Sequence, residues 1–473
     1  MRDSDESSLG PQDGWEERIS DPAIRKRALI TVGLTLFLDL AGFGMILPVL
    51  PYFAEHYGAS PIEVTLLSTV FSAAQFVMAP VLGKMSDRNG RRPVMLISIA
   101  GSVAAGVVLG FATALWIIFV ARLVAGISKA NISTAHAYVA DVVAPRERAK
   151  YMGLMGACIG MGFIFGPTIG GLLSSESMPT LPFFASAALS AINWLMAWRW
   201  LPETRPKDRR AEHRQGTHEG QSFGIDSIAR EPKKEGSQGP AGQWRRLLQV
   251  KHLRGSLILD LLVINFGFFV AFAMMETTSA LYNERMFGWG AKETGLYLTY
   301  VGVVVAVFQG VLVGKIARWL GESTGLILGL VSLTFGLALT GSLKWLLPWM
   351  DSSLVYNDSI SVLALVLMLL GGLGIAGGNG LVMSNSSALV SLVSPPDQQG
   401  YNMGLRESAA ALGRITGPVF AGPLFVWLAP GAPMFIASGV TALTIVLALV
   451  LHRKFSLQVH GRVSVQTELN PRR

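Results

Sequence analysis

Long apolar runs separated by short polar segments extend along almost the whole chain. Twelve of these runs are about 20 residues long, enough for a helix to cross the ~30 Å hydrocarbon core of a bilayer. The runs, numbered as spans one to twelve, lie at 28–50, 62–82, 93–113, 115–140, 151–174, 181–201, 255–281, 293–313, 323–343, 360–383, 400–427 and 432–451. The pattern therefore predicts an all-α membrane protein with twelve transmembrane helices.

One long polar segment divides the spans into two groups of six. It is rich in Arg, Lys, Glu, Gly and Gln and has no helical periodicity, so we expect a disordered linker. The predicted organisation is a cytoplasmic tail at 1–27, a six-helix bundle at 28–201, the linker at 202–254, a second six-helix bundle at 255–452 and a cytoplasmic tail at 453–473.

The two halves carry related sequence patterns. Span five contains the pattern G-x3-G-P-x2-G-G, and span eleven repeats it with one alanine. The repeated positions are Gly162, Gly166, Pro167, Gly170 and Gly171 in span five, and Gly413, Gly417, Pro418, Ala421 and Gly422 in span eleven. Weak repeats in two halves are typical of transporters, whose substrate site lies between the halves near the midplane. We therefore expect two pseudo-symmetric six-helix bundles.

Composition and charge agree with a lipid-embedded chain. Charged residues make up 15% of the sequence, whereas soluble domains carry about 25%. The lysines and arginines are concentrated in the loops at 82–92, 141–150 and 202–254, which predicts that both termini and the linker lie in the cytoplasm. This distribution argues against a nucleic-acid partner. Cys158 is the only cysteine, which excludes an intrachain disulfide and a cysteine-based metal cluster, and we expect no metal site.

Four segments resemble one known family. The segment from Gly83 to Arg92, GKMSDRNGRR, resembles the signature loop between helices two and three of the major facilitator superfamily. Span four, with Arg122 and Gly126, resembles the second motif of that family. Span five, with Gly153 nine residues before Gly162, is similar to the third motif, which is associated with drug/proton antiporters.

The first and fourth spans narrow the resemblance. The segment 39–51, DLAGFGMILPVLP, resembles the first helix of tetracycline/proton antiporters, and 122–149 is similar to the eukaryotic tetracycline-transporter-like proteins. The resemblance covers 28–201 strongly and 270–450 more loosely. It implies the two-bundle fold of this superfamily and transport by alternating access.

The signature loop is expected to act as a cytoplasmic gate. Asp87 can lie near the amino terminus of span eleven, whose free N–H groups favour an anion. Arg91 and Arg92 can pair with Asp141 at the cytoplasmic end of span four. The alternative is simple topological anchoring, with Asp87 a solvated partner. The candidate gating residues are Gly83, Asp87, Arg88, Gly90, Arg91, Arg92 and Asp141.

The glycines of span five are expected to let another helix approach closely, and Pro167 removes one backbone hydrogen bond and bends the span. The resemblance implies a role in helix packing that limits leak. The candidate packing residues are Gly153, Gly162, Gly166, Pro167, Gly170 and Gly171.

Ionisable groups inside spans are the strongest functional candidates, because each costs several kcal/mol unless it is paired or wetted. The candidate substrate or proton ligands are Asp39, Arg122, Lys129, His136, Glu276 and Asn379. Asp39 lies midway along span one, which lines the cavity by resemblance, so it is expected to carry a proton or meet the substrate. The alternative is a buried residue that hydrogen-bonds nearby groups.

Span four carries three candidates at seven-residue intervals, which places Arg122, Lys129 and His136 on one helical stripe. Lys129 falls near mid-membrane, where it would attract an anionic group. The alternative is an internal ion pair with Asp39 or Glu276. His136 is either a proton carrier or an ordinary hydrogen-bonding residue.

Two further candidates lie in the second half. Glu276 in span seven is the second proton-carrier candidate. Asn379 lies in a Gly-rich stretch of span ten where a loosened helix could offer polar contacts. Arg406 and Glu407 in span eleven are read as a pair near the cytoplasmic rim rather than as cavity ligands.

The expected function is secondary active transport, in which an amphipathic organic solute, a tetracycline-like drug or an organic anion, leaves in exchange for a proton. The alternatives are a uniporter or proton symporter for a metabolite and a non-transporting receptor or scaffold. The sequence has no Walker lysine motif, which argues against a primary ATP-driven pump. It has no nucleophile–base constellation and no metal-ligand cluster, so an enzyme is not expected. We expect a monomer with a small-molecule substrate, a lipid environment and no cofactor beyond a proton gradient.

Overall fold

The structure, a computed structural model, describes residues 21–129, 131–144, 147–175, 178–204, 257–350, 362–394 and 399–469. Within these ranges the regular secondary structure is entirely helical. Eleven helical segments in them are long and apolar enough to cross a membrane, and one shorter apolar helix, Leu115–Ser128, joins them. The prediction of an all-α, twelve-helix membrane fold is confirmed, and the chain is an integral multi-pass membrane protein.

The first half contains eight helices in six spans, because spans one and four are each made of two. The helices are α1 Pro22–Ile46, α2 Leu50–His56, α3 Pro61–Asn89, α4 Arg91–Gly110, α5 Leu115–Ser128, α6 Asn131–Val142, α7 Arg148–Leu173 and α8 Leu181–Trp200.

The second half forms spans seven to twelve. The helices are α9 Leu257–Phe287, α10 Ala291–Val307, α11 Val313–Leu320, α12 Glu322–Met350, α13 Val362–Val393, α14 Gln399–Trp427 and α15 Ala432–Leu469. A π-helical turn at Phe308–Leu312 joins α10 to α11 within span eight.

Local sequence signals explain several helix ends. Helix α1 ends at Ile46, two residues before Pro48. Proline has no backbone N–H and cannot continue the hydrogen-bond ladder of a helix, which explains this end. Pro61 occupies the first position of α3, and Ser60 and Glu63 form a reciprocal capping box there. The Ser60 backbone N–H donates to Glu63 Oε2 at 2.7 Å.

Span four differs from the single continuous helix expected over 115–140. Helix α5 ends at Ser128, and Lys129 adopts a non-helical backbone with ψ of 58°. The Lys129 N–H donates to the Gly126 carbonyl oxygen at 3.2 Å, a closing turn that ends the helix. Helix α6 begins at Asn131. The seven-residue stripe was derived for an unbroken helix, so it does not extend past Lys129.

The glycines of α7 bring it into backbone contact with α1. A Cβ placed on Gly162 would lie 2.7 Å from the Leu40 Cβ. One placed on Gly166 would lie 2.6 Å from the Ala41 carbonyl oxygen, and Gly170 also faces α1. Real Cβ atoms do not approach so closely, so these positions accept only glycine at the present helix spacing. Gly153, by contrast, has open space around it.

The second half repeats this packing between α14 and α9. A Cβ on Gly413 would lie 2.7 Å from the Phe269 Cβ, and one on Gly417 would lie 2.6 Å from the Val270 carbonyl oxygen. The sequence repeat between spans five and eleven therefore corresponds to a structural repeat.

Left-handed glycines mark a second correspondence. Gly90 and Gly321 have φ values of 102° and 81° and end the second span of each half. Gly58 and Gly288, with φ values of 81° and 64°, follow the first span of each half. Only glycine adopts this backbone region readily, which explains glycine in all four turns.

The same helices contact the opposite bundle beyond the glycine repeats. Gly171 of α7 abuts α10, where a Cβ would lie 2.8 Å from the Ala291 carbonyl oxygen. Gly422 of α14 abuts α3, where a Cβ would lie 2.7 Å from the Ile62 Cα. These contacts lie at the end of the bundles opposite the loop at 83–92, so that end is closed.

Tyr52 of α2 reinforces the closed side. Its hydroxyl lies 2.8 Å from Thr294 Oγ1 and donates toward the Trp289 carbonyl oxygen at 3.1 Å. Nearby, Arg285 of α9 pairs with Glu55 of α2 at 3.0 Å. Toward the opposite end of the bundles, Gly83 of α3 and Gly404 of α14 have open space around them.

Three expected boundaries differ. Residues 202–204 were assigned to the linker, but Thr204 is 2% exposed and packs against the first bundle. Span ten was expected to loosen at its glycines, but α13 runs unbroken through them, because Gly374 and Gly378 pack on α12. Helix α15 continues to Leu469, into the expected tail. The remainder of the expected linker, 205–254, lies outside the described residues.

Replacing Gly166 with alanine is expected to destabilise the protein, because its Cβ would overlap the Ala41 carbonyl oxygen. Overpacking costs about 1–3 kcal/mol, which outweighs the gain of roughly 1 kcal/mol in helix propensity. The control is Gly153→Ala, on the same helix but in open space. Thermal unfolding in detergent should show a lower midpoint for Gly166→Ala only; equal midpoints would contradict the packing assignment.

Candidate substrate cavity and cytoplasmic gate

A buried ion pair joins spans one and four. Lys129 Nζ lies 2.7 Å from Asp39 Oδ2, and the two side chains are 9% and 2% exposed. The helix break after Ser128 positions Lys129 for this contact. Two sequence candidates therefore meet as the ion pair that was the alternative reading of Lys129. At this burial, removing one partner leaves the other as an uncompensated charge, which costs about 3–5 kcal/mol.

Aromatic rings surround the cations of the first bundle. The Phe43 ring of α1 stacks on Phe71 of α3 with centroids 5.4 Å apart. The Lys129 ammonium lies 5.2 Å from the Phe43 centroid, and the Arg122 guanidinium lies 4.3 Å from the Phe71 centroid. These cation–π contacts stabilise charge without consuming hydrogen-bonding capacity. Arg122 is 3% exposed, and its Nε has no hydrogen-bond partner.

The second bundle contributes Glu276 of α9 and Arg414 of α14. The Arg414 guanidinium lies 4.7 Å from the Phe269 centroid. Glu276 interacts electrostatically with Arg414 of the same bundle and with Arg122 of the other bundle. Sequence reasoning missed Arg414, although an arginine directly after Gly413 of the repeated glycine motif was visible in an apolar span.

His136 and Asn379 are not in contact with the Asp39–Lys129 pair. His136 is half-buried on α6, where the Glu407 carboxylate of α14 acts on it across the bundles. Glu407 pairs with Arg406 at 2.6 Å, as a rim pair. Asn379 is half-buried on the continuous helix α13. The roles of His136 and Asn379 stay predictions.

Arg91 is the centre of the candidate gate. Its Nη1 lies 2.8 Å from Asp87 Oδ1, and its Nε lies 3.2 Å from Asp141 Oδ2. Its Nη1 also donates to Ser86 Oγ at 3.1 Å. The arginine thus links the end of α3, the start of α4 and the end of α6. The expected contact with Asp141 is present, while the approach of Asp87 to α14 stays a prediction.

Glu203 completes this corner and was not foreseen. Its carboxylate accepts hydrogen bonds from the backbone N–H groups of Arg91 and Arg92 at 3.0 and 3.3 Å. A carboxylate is favourable at a helix amino terminus, so Glu203 caps α4. Arg92 donates to the Trp198 carbonyl oxygen at 2.6 Å rather than to Asp141. The sequence shows a glutamate shortly after α8, but its contact with Arg91 and Arg92 cannot be predicted from spacing, because they are more than 100 residues apart.

Two remaining gating candidates have distinct settings. Gly90 supplies the left-handed turn between α3 and α4 and has an N–H bond to the Ser86 carbonyl oxygen at 3.2 Å. Arg88 lies in the last turn of α3, where a cation is favourable.

The arrangement consists of two helical bundles with related sequence and packing, buried charges in both, a closed end and a candidate polar gate at the other end. It defines a multi-pass carrier protein rather than an enzyme. Residues 32–378 match the Major Facilitator Superfamily, and the chain belongs to this family of transporters.

Similar proteins agree with that assignment. The chain is 30% identical over 393 residues to the tetracycline resistance protein, class B, of Escherichia coli, covering 82% of this chain and 86% of the relative. It is 28% identical over 439 residues to the major facilitator superfamily domain-containing protein 10 of Mus musculus, covering 86% and 89%.

Solved structures share the fold. The human organic anion transporter MFSD10 matches with a TM-score of 0.61 and 24% identity, covering 90% of this chain and 99% of that one. The nucleoside transporter NupG matches with a TM-score of 0.64 and 12% identity, covering 90% of this chain and 99% of that one.

Asp39→Asn and Lys129→Gln are each expected to lower the thermal midpoint strongly, because each leaves a buried charge unpaired at about 3–5 kcal/mol. The double variant should recover most of the loss, since both charges are then absent. Thermal unfolding in detergent, followed by tryptophan fluorescence, completes the double-mutant cycle. Additive losses in the double variant would show that the pair is not formed.

A disulfide between α7 and α10, toward the closed end of the bundles, is expected to stop transport. Thr168 Oγ1 and Thr299 Oγ1 are 2.5 Å apart across the bundles, close enough for cysteines to bridge. In a Cys158→Ser background, oxidised Thr168→Cys/Thr299→Cys protein should lose tetracycline or 1-naphthylacetate counterflow in liposomes and regain it with a reductant. Each single cysteine variant is the control. Undiminished counterflow in the cross-linked protein would contradict closure on this side.

Proposed function

We propose that this transporter exports amphipathic organic solutes, tetracycline-like zwitterions or organic anions, in exchange for protons. The buried Asp39–Lys129 pair carries the proposal, because a zwitterion can replace both partners of an internal ion pair. Relatives described as tetracycline resistance proteins and as an organic anion transporter support the solute class.

The coupling follows from competition at Asp39. The cationic group of the solute and a proton both neutralise this carboxylate, so they bind alternately. A solute entering from the cytoplasm would displace Lys129 from Asp39, and the solute's anionic group would then be held by Lys129 and Arg122, which lie against the same aromatic pair. Protonation of Asp39 from the external side would remove the site for the cation and release the solute.

Glu276 is the second carboxylate that a proton can neutralise, and His136 near Glu407 is a candidate relay from the cytoplasmic rim. Neither is needed for the competition at Asp39. Asn379 would contribute a neutral polar contact for the solute.

The gate residues would control opening. Arg91 joins Asp87 and Asp141 in the present arrangement, in which the external side is closed. Rearrangement of these contacts would accompany the closing of the cytoplasmic side, with Asp87 then meeting the amino end of α14. The open space at Gly83 leaves room for that approach.

Proton symport is the second candidate function, and the same ion pair favours it for solutes that carry only negative charge. Protonation of Asp39 would free the Lys129 ammonium, which then attracts an anion. Proton and anion would bind together rather than in competition. The sign of proton movement therefore distinguishes the two functions.

We further propose that the protein works as a monomer, without a bound cofactor or nucleic acid, with both termini in the cytoplasm. The charge distribution of the loops supports this orientation.

Flux of tetracycline in liposomes that contain an internal pH dye tests the exchange. We expect tetracycline movement to drive protons in the opposite direction, and this proton signal should be lost in Asp39→Asn. The control is Glu293→Gln, which changes an exposed carboxylate at the external start of α10. Lys129→Ala should reduce flux because it removes a cation that holds the anionic group.

Two results would overturn proton exchange. Tetracycline flux without proton movement would indicate uniport. Proton movement in the same direction as the solute would indicate symport.

A further inference from the structure

Two buried or half-buried guanidinium groups, one from each bundle, have no close polar partner among the described residues. Arg122 is 3% exposed, and its Nε has no hydrogen-bond partner within the described ranges. Arg414 is half-buried, and its contact within the described ranges is with an aromatic ring. Neither makes a close ion pair or side-chain hydrogen bond with another described residue. An unsatisfied charge at this depth costs several kcal/mol, which a bound anion would offset.

Both arginines are held in the same way. Arg122 lies 4.3 Å from the centroid of Phe71, and Arg414 lies 4.7 Å from the centroid of Phe269. Each ring belongs to the same bundle as its arginine. Stacking fixes the plane of a guanidinium but leaves its N–H edges free, which is the arrangement suited to bidentate binding of a carboxylate or sulfonate.

Glu276 is the carboxylate that both arginines share. It acts electrostatically on each of them, yet it forms no close ion pair with either. Glu407, which pairs with Arg406, also acts on Arg414. Arg122, Arg414 and Glu276 by themselves carry a net positive charge, because one carboxylate is shared by two guanidinium groups.

We propose that Arg122 and Arg414 form a cross-bundle clamp for the carboxylate or sulfonate of an aromatic solute. This clamp deepens the proposed function, on which it rests, by adding Arg414 of the second bundle to Arg122 as a ligand of the solute's anionic group. The rings of Phe71 and Phe269 would also offer apolar surface to the aromatic part of the solute.

The clamp links solute binding to movement of the bundles. Because each arginine belongs to a different bundle, an anion bound to both draws the bundles together around it. Glu276 acts as an internal competitor, since its negative charge neutralises part of the field that attracts the solute. Removal of that charge is therefore expected to strengthen anion binding.

Binding of two matched probes to the full-length protein in nanodiscs tests the clamp. The probes are 1-naphthylacetate, an anion, and 1-naphthylacetamide, its neutral amide, each titrated by calorimetry. Wild-type protein should prefer the anion. Arg414→Gln should weaken the anion by roughly tenfold, the typical effect of one charge-assisted hydrogen bond, and leave the amide unchanged. Arg414→Lys should fall between, because it keeps the charge without the planar fork.

Two further variants complete the test. Glu276→Gln should raise the affinity for the anion several-fold without raising that for the amide. Arg318→Gln is the control, since it removes an exposed arginine at the cytoplasmic end of α11. Affinities are compared only among variants whose thermal midpoints equal that of the wild-type protein. If Arg414→Gln folds poorly, Arg414→Lys replaces it in this comparison.

The clamp is overturned if wild-type protein shows no preference for the anion, or if Arg414→Gln weakens both probes equally. Tetracycline flux that remains coupled to protons while the anion preference is absent would reject the clamp and leave the proposed function standing. Anion preference that depends on Arg414 in a protein without proton-coupled flux would support the clamp and reject exchange.

Discussion

The cost of holding charge inside a hydrocarbon layer governs every functional feature of this chain. Each ionised group there is destabilising unless another group or water neutralises it. Asp39 and Lys129 solve the problem by pairing at 2.7 Å. The charges of Arg122 and Arg414 are compensated only in part, by cation–π contacts with aromatic rings. Asp39 and Lys129 therefore neutralise each other, whereas the two arginines keep N–H groups that a bound anion could use.

Close helix packing keeps these charges in register. Gly162 and Gly166 fix α7 against α1, the helix that carries Asp39. Gly413 and Gly417 fix α14 against α9, so Arg414 and Glu276 lie on a tightly packed pair. Both halves thus contain a pair of helices packed closely through glycines. Asp39, Glu276 and Arg414 lie on these closely packed helices.

Apolar periodicity made the twelve spans and the glycine repeat predictable, because both depend on residues close together in sequence. The contact between Arg91 and Asp141 could be anticipated from opposite charges at two cytoplasmic helix ends. The helix break at Lys129 could not, since no proline or glycine marks it and the Asp39 partner is 90 residues distant. Arg414 was visible as a charge in an apolar span, but its relation to Arg122 depends on how the bundles face each other.

Glu203 shows how the gate and the polar segment are connected. Its carboxylate accepts from the backbone amides that begin α4, next to the arginine that pairs with Asp141. Thr204 donates to the same Asp141 at 3.4 Å. The chain that leaves the first bundle is therefore bonded to the contacts proposed to rearrange during transport. Because a helix cap is worth only about 1 kcal/mol, this attachment holds the corner together without preventing its movement.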